Sequence, residues 1–552
     1  MTATSGWFLA AGGNPTFAWW HVPDGGSRAV AVLVGPVGDE QLVAHRALRV
    51  LAERLEQLGI AALRVDLPGS GDSGDVEGDR TVAWREGVAS AVAHARACGA
   101  ERVTVVGLRL GALVAADALP LLGDVEHLVL WDPWPSGRAH LRRLRALHML
   151  SGFAPYDEPG SVEGPGTFVD ARTASSLAAM RLPSLDPAQR VTLVLRETPQ
   201  AGAEVDASSV GLHATTVRTT ESEAWLDTVR LEAALPTRTI EAVADAVSAG
   251  CPEQRSAITP ALVRSTYLSG GAIVEEVVSL GPRDLFAIVS RPAGDTTVRS
   301  SVVLADTATS YRIGPARIWV ELARDLARAG HRVTRFDHYD LGDSPGGSYA
   351  DGPRYYNAAC VRDVREAVAA CDLRPDGVPL VMIGHCSGSW ASLMAARDVH
   401  PDALYLVNPL IWTSTPPTMG PSVTGAAARA AGTASLSWKA RHWVRSRPTV
   451  RRSAQAARDV LVRIGVLGSV DALLTGLARG GTRVTSAVGT VELEHYRRFQ
   501  RYGGQERLAA EPRVRLDVAV HDDHALKTRA VREHLLTEMP RWIEADLGAG
   551  RD

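Results

Sequence analysis

Short apolar runs alternate with longer amphipathic stretches along the first part of the chain. Residues 29–35 predict a buried strand, and residues 43–58 carry leucines at helical spacing on one side. Further strand-like runs lie at 61–65, 103–106 and 127–130. Strands that alternate with helices through short loops predict a parallel sheet with helices on both faces.

The same order of elements returns in the second part of the chain. Strands are predicted at 301–304, 333–336, 380–383 and 405–407, and a helix at 318–329. Landmarks after the strands repeat at a nearly constant distance. The matched pairs are Asp66 and Asp337, and Asp72 and Asp343, both 271 residues apart, Gly107 and Gly384, 277 apart, and Pro133 and Pro409, 276 apart. Four landmarks in the same order predict a tandem duplication of one α/β domain.

The junction between the two copies is predicted near residues 249–260. Gly250, Cys251-Pro252 and Thr259-Pro260 interrupt helical structure there. Domains are therefore predicted at 1–250 and 251–552.

Both halves carry an insertion after the repeated proline, at about 137–187 and about 413–480. The second insertion is rich in arginine, and two interpretations stay open. It is a solvated helix face, or it receives an acidic partner such as a carrier domain, a coenzyme A phosphate or an acidic glycan. The arginines are Arg441, Arg445, Arg447, Arg451, Arg452, Arg458 and Arg463.

The stretch with the most specific chemistry is Gly-His-Cys-Ser-Gly at 384–388. It follows the apolar run at 380–383 and precedes a helix of small residues. Strand, Gly-x-nucleophile-x-Gly and helix form the pattern of a nucleophile elbow, and Cys386 lies at its centre. The alternatives are a buried, inert Cys386 and a motif centred on Ser387. Centring it on Ser387 puts a histidine where the first glycine belongs.

A nucleophile of this kind needs a general base and an orienting acid, which follow it along the chain in the order acid, histidine. His524 lies after the last predicted strand at 514–520 and is the predicted base, with His521 as the alternative. Glu492 follows the predicted strand at 484–488 and is the predicted acid, with Glu494 as the alternative.

A cysteine at the elbow predicts acyl chemistry through a thioester. A free thiol has a pKa of about 8.5, and a neighbouring imidazole and a helix N-terminus both favour the thiolate. The oxyanion needs donors, predicted to be the backbone N–H of Ser387 and that of Thr307 or Ala308. The thioester can pass its acyl group to water, an alcohol, an amine or a thiol.

The first half lacks these groups. Arg109 stands at its elbow centre, and a guanidinium stays protonated and cannot act as a nucleophile. No histidine follows the strand-like run at 214–217, since His213 precedes it. The first half is predicted to be non-catalytic, with Arg109 gripping an anion or tied to a buried carboxylate such as Asp66.

Composition narrows the class of protein. A chain of 552 residues is too long to fold around a single hydrophobic core. Its composition, with 45% hydrophobic and 22% charged residues, is typical of a globular protein. A net charge of −3 predicts no attraction to nucleic acid or anionic membranes. Five scattered cysteines form no metal or disulfide pattern, and we see no signal peptide, cofactor motif or membrane span. We expect a cytoplasmic protein and leave the oligomeric state open.

Several motifs resemble a known family; they lie at 311–315, 335–337, 341–344, 386–388 and 523–524 in the second half, and at 66–73, 107–113 and 130–137 in the first. The second half is similar to α/β-hydrolases associated with the exosortase A system and exopolysaccharide clusters, within the wider serine-aminopeptidase-like hydrolases. The first half resembles a sister family from the same clusters, and the cysteine elbow alone is similar to that of polyhydroxyalkanoate synthases.

The resemblance implies two tandem α/β-hydrolase domains, each a mostly parallel sheet with helices on both faces and a lid insertion. We predict an acyl hydrolase or acyltransferase that acts on an ester or thioester, with a carrier protein or coenzyme A as a partner to consider. The alternative is a non-catalytic scaffold that binds an acidic ligand. Fold alone does not decide between them.

Overall fold

A computed structural model describes most of the chain. The described residues are 3–10, 12–154, 156–183, 188–197, 214–221, 225–226, 234–294, 296–307, 310–346, 356–370, 377–412, 448–464, 466–518 and 523–548; the side chains of 448–452, 454, 455 and 458 are also excluded. His213, Ala308, His521 and the predicted lid residues 413–447 lie outside this set, and so do the side chains of Arg451, Arg452 and Arg458.

The chain divides into two compact units. The first comprises Met1–Val277, Pro315–Glu321 and Leu526–Glu533, and the second comprises Val278–Gly314, Leu322–Ala525 and His534–Asp552. The predicted boundary between residues 250 and 251 lies inside the first unit. The assignment of two domains at 1–250 and 251–552 stays a prediction.

The first sheet has eight strands in the order β1-β2-β4-β3-β5-β6-β9-β10. β2 pairs antiparallel with β1 and β4, and the remaining neighbours are parallel. A separate antiparallel pair, β7 and β8, lies in the predicted first insertion. The strands are β1 Thr4–Leu9, β2 Pro15–His21, β3 Val30–Val34, β4 Ala61–Val65, β5 Val103–Leu108, β6 His127–Trp131, β7 Val162–Gly164, β8 Thr167–Val169, β9 Val191–Glu197 and β10 Thr215–Thr220.

Helices cover both faces of this sheet. On β3 the side chains of Val30, Val32 and Val34 pack into one core cluster, and those of Ala31 and Leu33 pack into another. A strand buried on both faces reads as a continuous apolar run, as predicted here from the sequence. The helices are α1 Asp39–Gln57, α2 Arg80–Ala97, α3 Leu110–Ala118, α4 Gly137–Ser151, α5 Ala171–Ala179 and α6 Thr237–Ser248.

The second sheet has nine strands in the order β11-β12-β13-β15-β14-β16-β17-β18-β19. β13 and β15 are antiparallel, and every neighbouring pair from β15 to β19 is parallel. The strands are β11 Ser265–Leu268, β12 Ile273–Leu280, β13 Leu285–Pro292, β14 Ser301–Ala305, β15 Arg332–Phe336, β16 Leu380–His385, β17 Ala403–Val407, β18 Arg483–Val488 and β19 Val514–Val518.

The helices of the second half alternate with these strands, and those of the second predicted insertion follow β17. They are α7 Ile318–Arg328, α8 Ala358–Ala370, α9 Ser387–Val399, α10 Pro448–Arg463, α11 Val470–Arg479, α12 Thr490–Arg498, α13 Gly504–Ala509 and α14 Arg529–Gly548. Within the described residues, no helix is both long enough and apolar enough to cross a bilayer.

The two sheets share their strand order once β11 is set aside. The turns after β4 and β15 also match in detail. The backbone N–H of Asp72 donates to the carboxylate of Asp66 at 2.9 Å, and that of Asp343 donates to Asp337 at 2.8 Å. Both units thus have an α/β fold with a mostly parallel sheet, and the predicted turns at 66–73 and 337–344 have the same internal geometry.

Two buried histidines make the stability of the fold depend on pH. His127 and His331 are each 1% exposed and hydrogen-bond to the hydroxyls of Thr192 (2.8 Å) and Ser300 (2.7 Å). Burial, followed by a nearby arginine charge, lowers the pKa of each histidine to about 4. Both rings are therefore neutral in the folded protein at neutral pH.

We predict that the fold loses stability as the pH falls from about 6.5 towards 4, because the two histidines bind protons in the unfolded chain but stay neutral in the folded protein. Each histidine should account for about 2 kcal/mol between pH 6.5 and 5. Thermal unfolding midpoints at about pH 7 and pH 5 measure this loss. His127→Gln should reduce it, whereas His45→Gln, at a half-buried position on α1, should leave it unchanged; equal losses in the wild type and His127→Gln contradict the assignment.

Candidate active site

The centre of the site is a strained turn between β16 and α9. Cys386 has φ 52° and ψ −114°, outside the regions that L-residues ordinarily occupy. Its backbone N–H donates to the carbonyl of Val407 on the neighbouring strand at 2.9 Å. The sulfur is half-buried. The turn thus has the backbone of the predicted nucleophile elbow.

The two flanking glycines are required by close backbone contacts. A Cβ added to Gly384 would lie 2.5 Å from the carbonyl oxygen of Gly388. One added to Gly388 would lie 2.3 Å from the carbonyl oxygen of Ala305 and 2.6 Å from that of Asp306. The elbow therefore packs against itself and against the end of β14, and a side chain at either position would displace backbone.

Three predicted residues come together at this turn. The Nε2 atom of His524 lies 3.1 Å from the Cys386 sulfur, and its Nδ1 atom lies 2.6 Å from Oε1 of Glu492. Glu492 is 1% exposed and lies in the first turn of α12, whereas the His524 side chain is 32% exposed. Glu494, the alternative acid, is exposed and pairs with Arg498 on the same helix at 3.7 Å.

The loop that carries His524 is fixed by two side chains that sequence analysis missed. Nε2 of His385 donates to the backbone carbonyl of His524 at 2.9 Å, and Nδ2 of Asn408 donates to the same oxygen at 3.0 Å. Asn408 also reaches the carbonyl of Asp523 at 3.3 Å. His385 ends β16 and Asn408 follows β17. The sequence signal that could have identified these two residues is their position at the ends of adjacent strands.

The electrostatics favour a charged imidazole. Burial lowers the pKa of His524, but its hydrogen bonds to Cys386 and Glu492 and the charges of those groups raise it to about 10. His524 thus tends to keep both ring protons at neutral pH, one directed at the sulfur and one at the carboxylate. A thiolate beside an imidazolium is the reactive form of a cysteine nucleophile.

The predicted oxyanion donors have different surroundings. Ser387 begins α9, so its backbone N–H belongs to the positive end of that helix. The backbone N–H of Thr307 donates to the carboxylate of Asp306 at 2.7 Å. Ala308 lies outside the described residues. Of the two described candidates, Ser387 directly follows the elbow cysteine at the start of α9.

A further residue missed by sequence analysis reaches the sulfur. The hydroxyl of Tyr356 lies 3.7 Å from the Cys386 sulfur, and the residue is 4% exposed. Its position just before α8, 30 residues upstream of the cysteine, carried no motif.

The first unit keeps the same turn around a different residue. Arg109 has φ 56° and ψ −117°, and its N–H donates to the carbonyl of Trp131 at 2.9 Å. Its guanidinium pairs with Glu40 at 3.0 Å and lies 4.3 Å from the centroid of the Trp134 ring. Glu40 is thus a carboxylate partner of Arg109, and the suggested pairing with Asp66 stays a prediction.

Comparisons with known proteins agree with the hydrolase-like fold. The serine aminopeptidase, S33, family matches residues 315–492, about a third of the chain. This segment includes Cys386 and Glu492 and ends before His524. No curated protein matches the chain.

The solved structures that are similar to this chain share low sequence identity with it. The esterase Est1E of Butyrivibrio proteoclasticus, with ferulic acid bound, is 17% identical with a TM-score of 0.32, covering 44% of this chain and 95% of its own. An esterase domain from Rhodothermus marinus is 15% identical (TM-score 0.32, 45% and 97% covered). A proline iminopeptidase-related protein of Thermus thermophilus is 20% identical (TM-score 0.32, 46% and 99% covered).

The close contacts at the elbow predict the effect of one methyl group. Gly388→Ala should destabilise the protein by about 1–3 kcal/mol, because the new Cβ would clash with backbone oxygens, which can move only if the surrounding backbone moves with them. Gly476→Ala is the control, since Gly476 lies in α11 and an added Cβ there contacts nothing within 4 Å. That change should stabilise the helix by about 0.5–1 kcal/mol. Thermal unfolding of both variants checks the pair, and a harmless Gly388→Ala would refute the packing argument.

Proposed function

We propose that the chain is a tandem α/β-hydrolase of the serine-aminopeptidase-like group, in the branch associated with exopolysaccharide clusters, with one working site in its second half. The observation that carries this proposal is the continuous hydrogen-bonded series of Cys386, His524 and Glu492, at 3.1 and 2.6 Å, on a strained elbow. The order of these residues along the chain also agrees with that of α/β-hydrolases.

The proposed reaction is acyl transfer through a thioester. The Cys386 sulfur attacks the acyl carbon, an S–C bond forms, and the carbonyl π pair moves to oxygen. The thiol proton resides on Nε2 of His524, and Glu492 stabilises the imidazolium through Nδ1. The oxyanion collapses, the bond to the leaving group breaks, and the leaving group takes the proton from Nε2.

The second half of the reaction uses the same groups. An acceptor gives its proton to Nε2 of His524 and attacks the thioester carbon, after which the C–S bond breaks. Water as the acceptor gives hydrolysis, and an alcohol, amine or thiol gives transfer. Both outcomes stay within the proposal, with an ester or thioester as donor and a carrier protein or coenzyme A as a source of the acyl group.

The first half is proposed to be non-catalytic. The pairing of Arg109 with Glu40 and its stacking on Trp134 support this, because the elbow centre is occupied by a paired cation. A guanidinium stays protonated and cannot attack a carbonyl carbon.

The nucleophile can be tested by covalent capture. A chromogenic acyl ester should give a burst of product and an acyl adduct that peptide mapping locates on Cys386. Cys386→Ala should abolish both. Cys251→Ala, which removes another half-buried cysteine, should change neither. An adduct on Ser387, or a burst that survives Cys386→Ala, contradicts the proposal; a protein that neither labels nor turns over supports the scaffold alternative.

The orienting acid can be tested with neighbouring glutamates on one helix. Glu492→Gln removes the charge that stabilises the imidazolium, and kcat/KM should fall about 100- to 10,000-fold. Glu494→Gln changes an exposed position two residues away and should stay within about twofold of the wild type. Equal effects of the two substitutions on ester turnover would show that Glu492 has no special part in the reaction.

A further inference from the structure

Tyr356 is buried against the helix that follows the elbow. It directly precedes Asn357, whose side-chain oxygen caps α8 by accepting from the N–H groups of Ala359 (2.7 Å) and Cys360 (3.3 Å). The tyrosine ring meets the ring of Trp390 on α9 edge to face, with 5.9 Å between centroids and 75° between planes. The aromatic ring thus has a clear packing role, which a phenylalanine would fill equally well.

The hydroxyl has no such role. Within the described residues its hydrogen-bond partner is the Cys386 sulfur at 3.7 Å, within the range of contacts to sulfur. A buried hydroxyl without a partner costs folding free energy, and a neutral thiol is a weak acceptor. A thiolate is a much stronger acceptor, because hydrogen bonds to ionised groups are roughly twice as strong as neutral ones. A charged sulfur would therefore satisfy this buried hydroxyl better than a neutral one.

The backbone of Tyr356 is also strained. Its φ is 47°, and a bulky side chain in this left-handed region is an outlier. Such strain persists where the surroundings enforce it, and it is concentrated at active sites. The first unit gives an internal comparison at the equivalent place, directly before the cap of α2.

There Asp79 caps the helix by accepting from the N–H of Thr81 at 2.9 Å, and the preceding residue is Gly78 with φ 85°. Glycine adopts positive φ without steric cost. The first unit, with Arg109 at its elbow, thus makes this bend with glycine, whereas the second unit, with a sulfur at its elbow, makes it with tyrosine.

We propose that Tyr356 is a further catalytic residue, whose hydroxyl donates a hydrogen bond to the Cys386 thiolate in addition to the one from His524. This inference rests on the proposed function, since it requires Cys386 to react. The thiolate then accepts hydrogen bonds from two donors, the imidazolium of His524 and the phenol of Tyr356. The phenol keeps its proton when the imidazolium loses one.

The phenol acts as a donor and not as an acid. Burial raises the pKa of Tyr356, and the adjacent Cys386 charge and hydrogen bond raise it further, so the hydroxyl keeps its proton throughout. Acylation removes the charge from sulfur and weakens this hydrogen bond. When the C–S bond breaks in the second half of the reaction, the electron pair returns to sulfur and the hydroxyl is already in position. Tyr356 should thus favour both formation of the thiolate and release of the acyl group.

The test is the pH dependence of Cys386 alkylation in the full-length chain. Iodoacetamide is added over a range of pH, and intact mass with peptide mapping gives the rate at Cys386. In Tyr356→Phe the midpoint of the pH–rate curve should move up by about one unit, which makes alkylation at low pH about tenfold slower. With an acyl ester, the burst should remain while the steady-state rate falls about tenfold and KM stays within about threefold.

The control is Tyr405→Phe, which removes another buried hydroxyl, one bonded to Asp546 at 2.6 Å. It should leave the alkylation midpoint unchanged even if it lowers the unfolding temperature. An unchanged or lowered midpoint in Tyr356→Phe overturns the inference and leaves the cysteine mechanism intact. Absence of alkylation at Cys386 in the wild type instead overturns the proposed function itself.

Discussion

The site depends on one backbone constraint, the close passage of a strand-to-helix turn over the end of the neighbouring strand. Only glycine fits on either side of the turn, since a Cβ at Gly388 would lie 2.3 Å from the oxygen of Ala305. Cys386, midway between the two glycines, adopts a positive φ of 52°. Both units obey this constraint, with Cys386 and Arg109 at nearly identical dihedral angles. The fold therefore fixes where a side chain stands, and the residue type decides what it does.

The remaining groups reach the sulfur because parallel strands end at the same edge of the sheet. Glu492 lies there in the first turn of α12, which follows β18, and His524 follows β19. The ends of β16 and β17 bring His385 and Asn408. The latter two bind backbone carbonyls, so they position the imidazole without competing for its nitrogens. The acid is buried while the imidazole is partly open to solvent. The buried carboxylate thus holds the imidazole at 2.6 Å, while the imidazole itself stays partly open to solvent.

Local pattern and chain order were sufficient for the main strands, the turn at 384–388 and the positions of His524 and Glu492. Each of these signals lies within about ten residues or follows a fixed order along the chain. Glu40, His385, Asn408 and Tyr356 could not be predicted in the same way. Their partners lie 30 to 139 residues away and depend on how strand ends and helix starts meet in space. The pairing of Arg109 with Glu40 depends on the position of α1, which the sequence pattern alone does not give.

The half-buried sulfur has a chemical consequence beyond acyl transfer. A serine hydroxyl at this turn would be inert to peroxide, whereas a thiolate is oxidised to sulfenic acid and, with more oxidant, irreversibly to sulfinic and sulfonic acids. The partial exposure of Cys386 that the proposed acyl chemistry requires would also admit small oxidants. In the proposed mechanism, oxidation of Cys386 would therefore stop the reaction at the nucleophile itself, and reducing surroundings would preserve it.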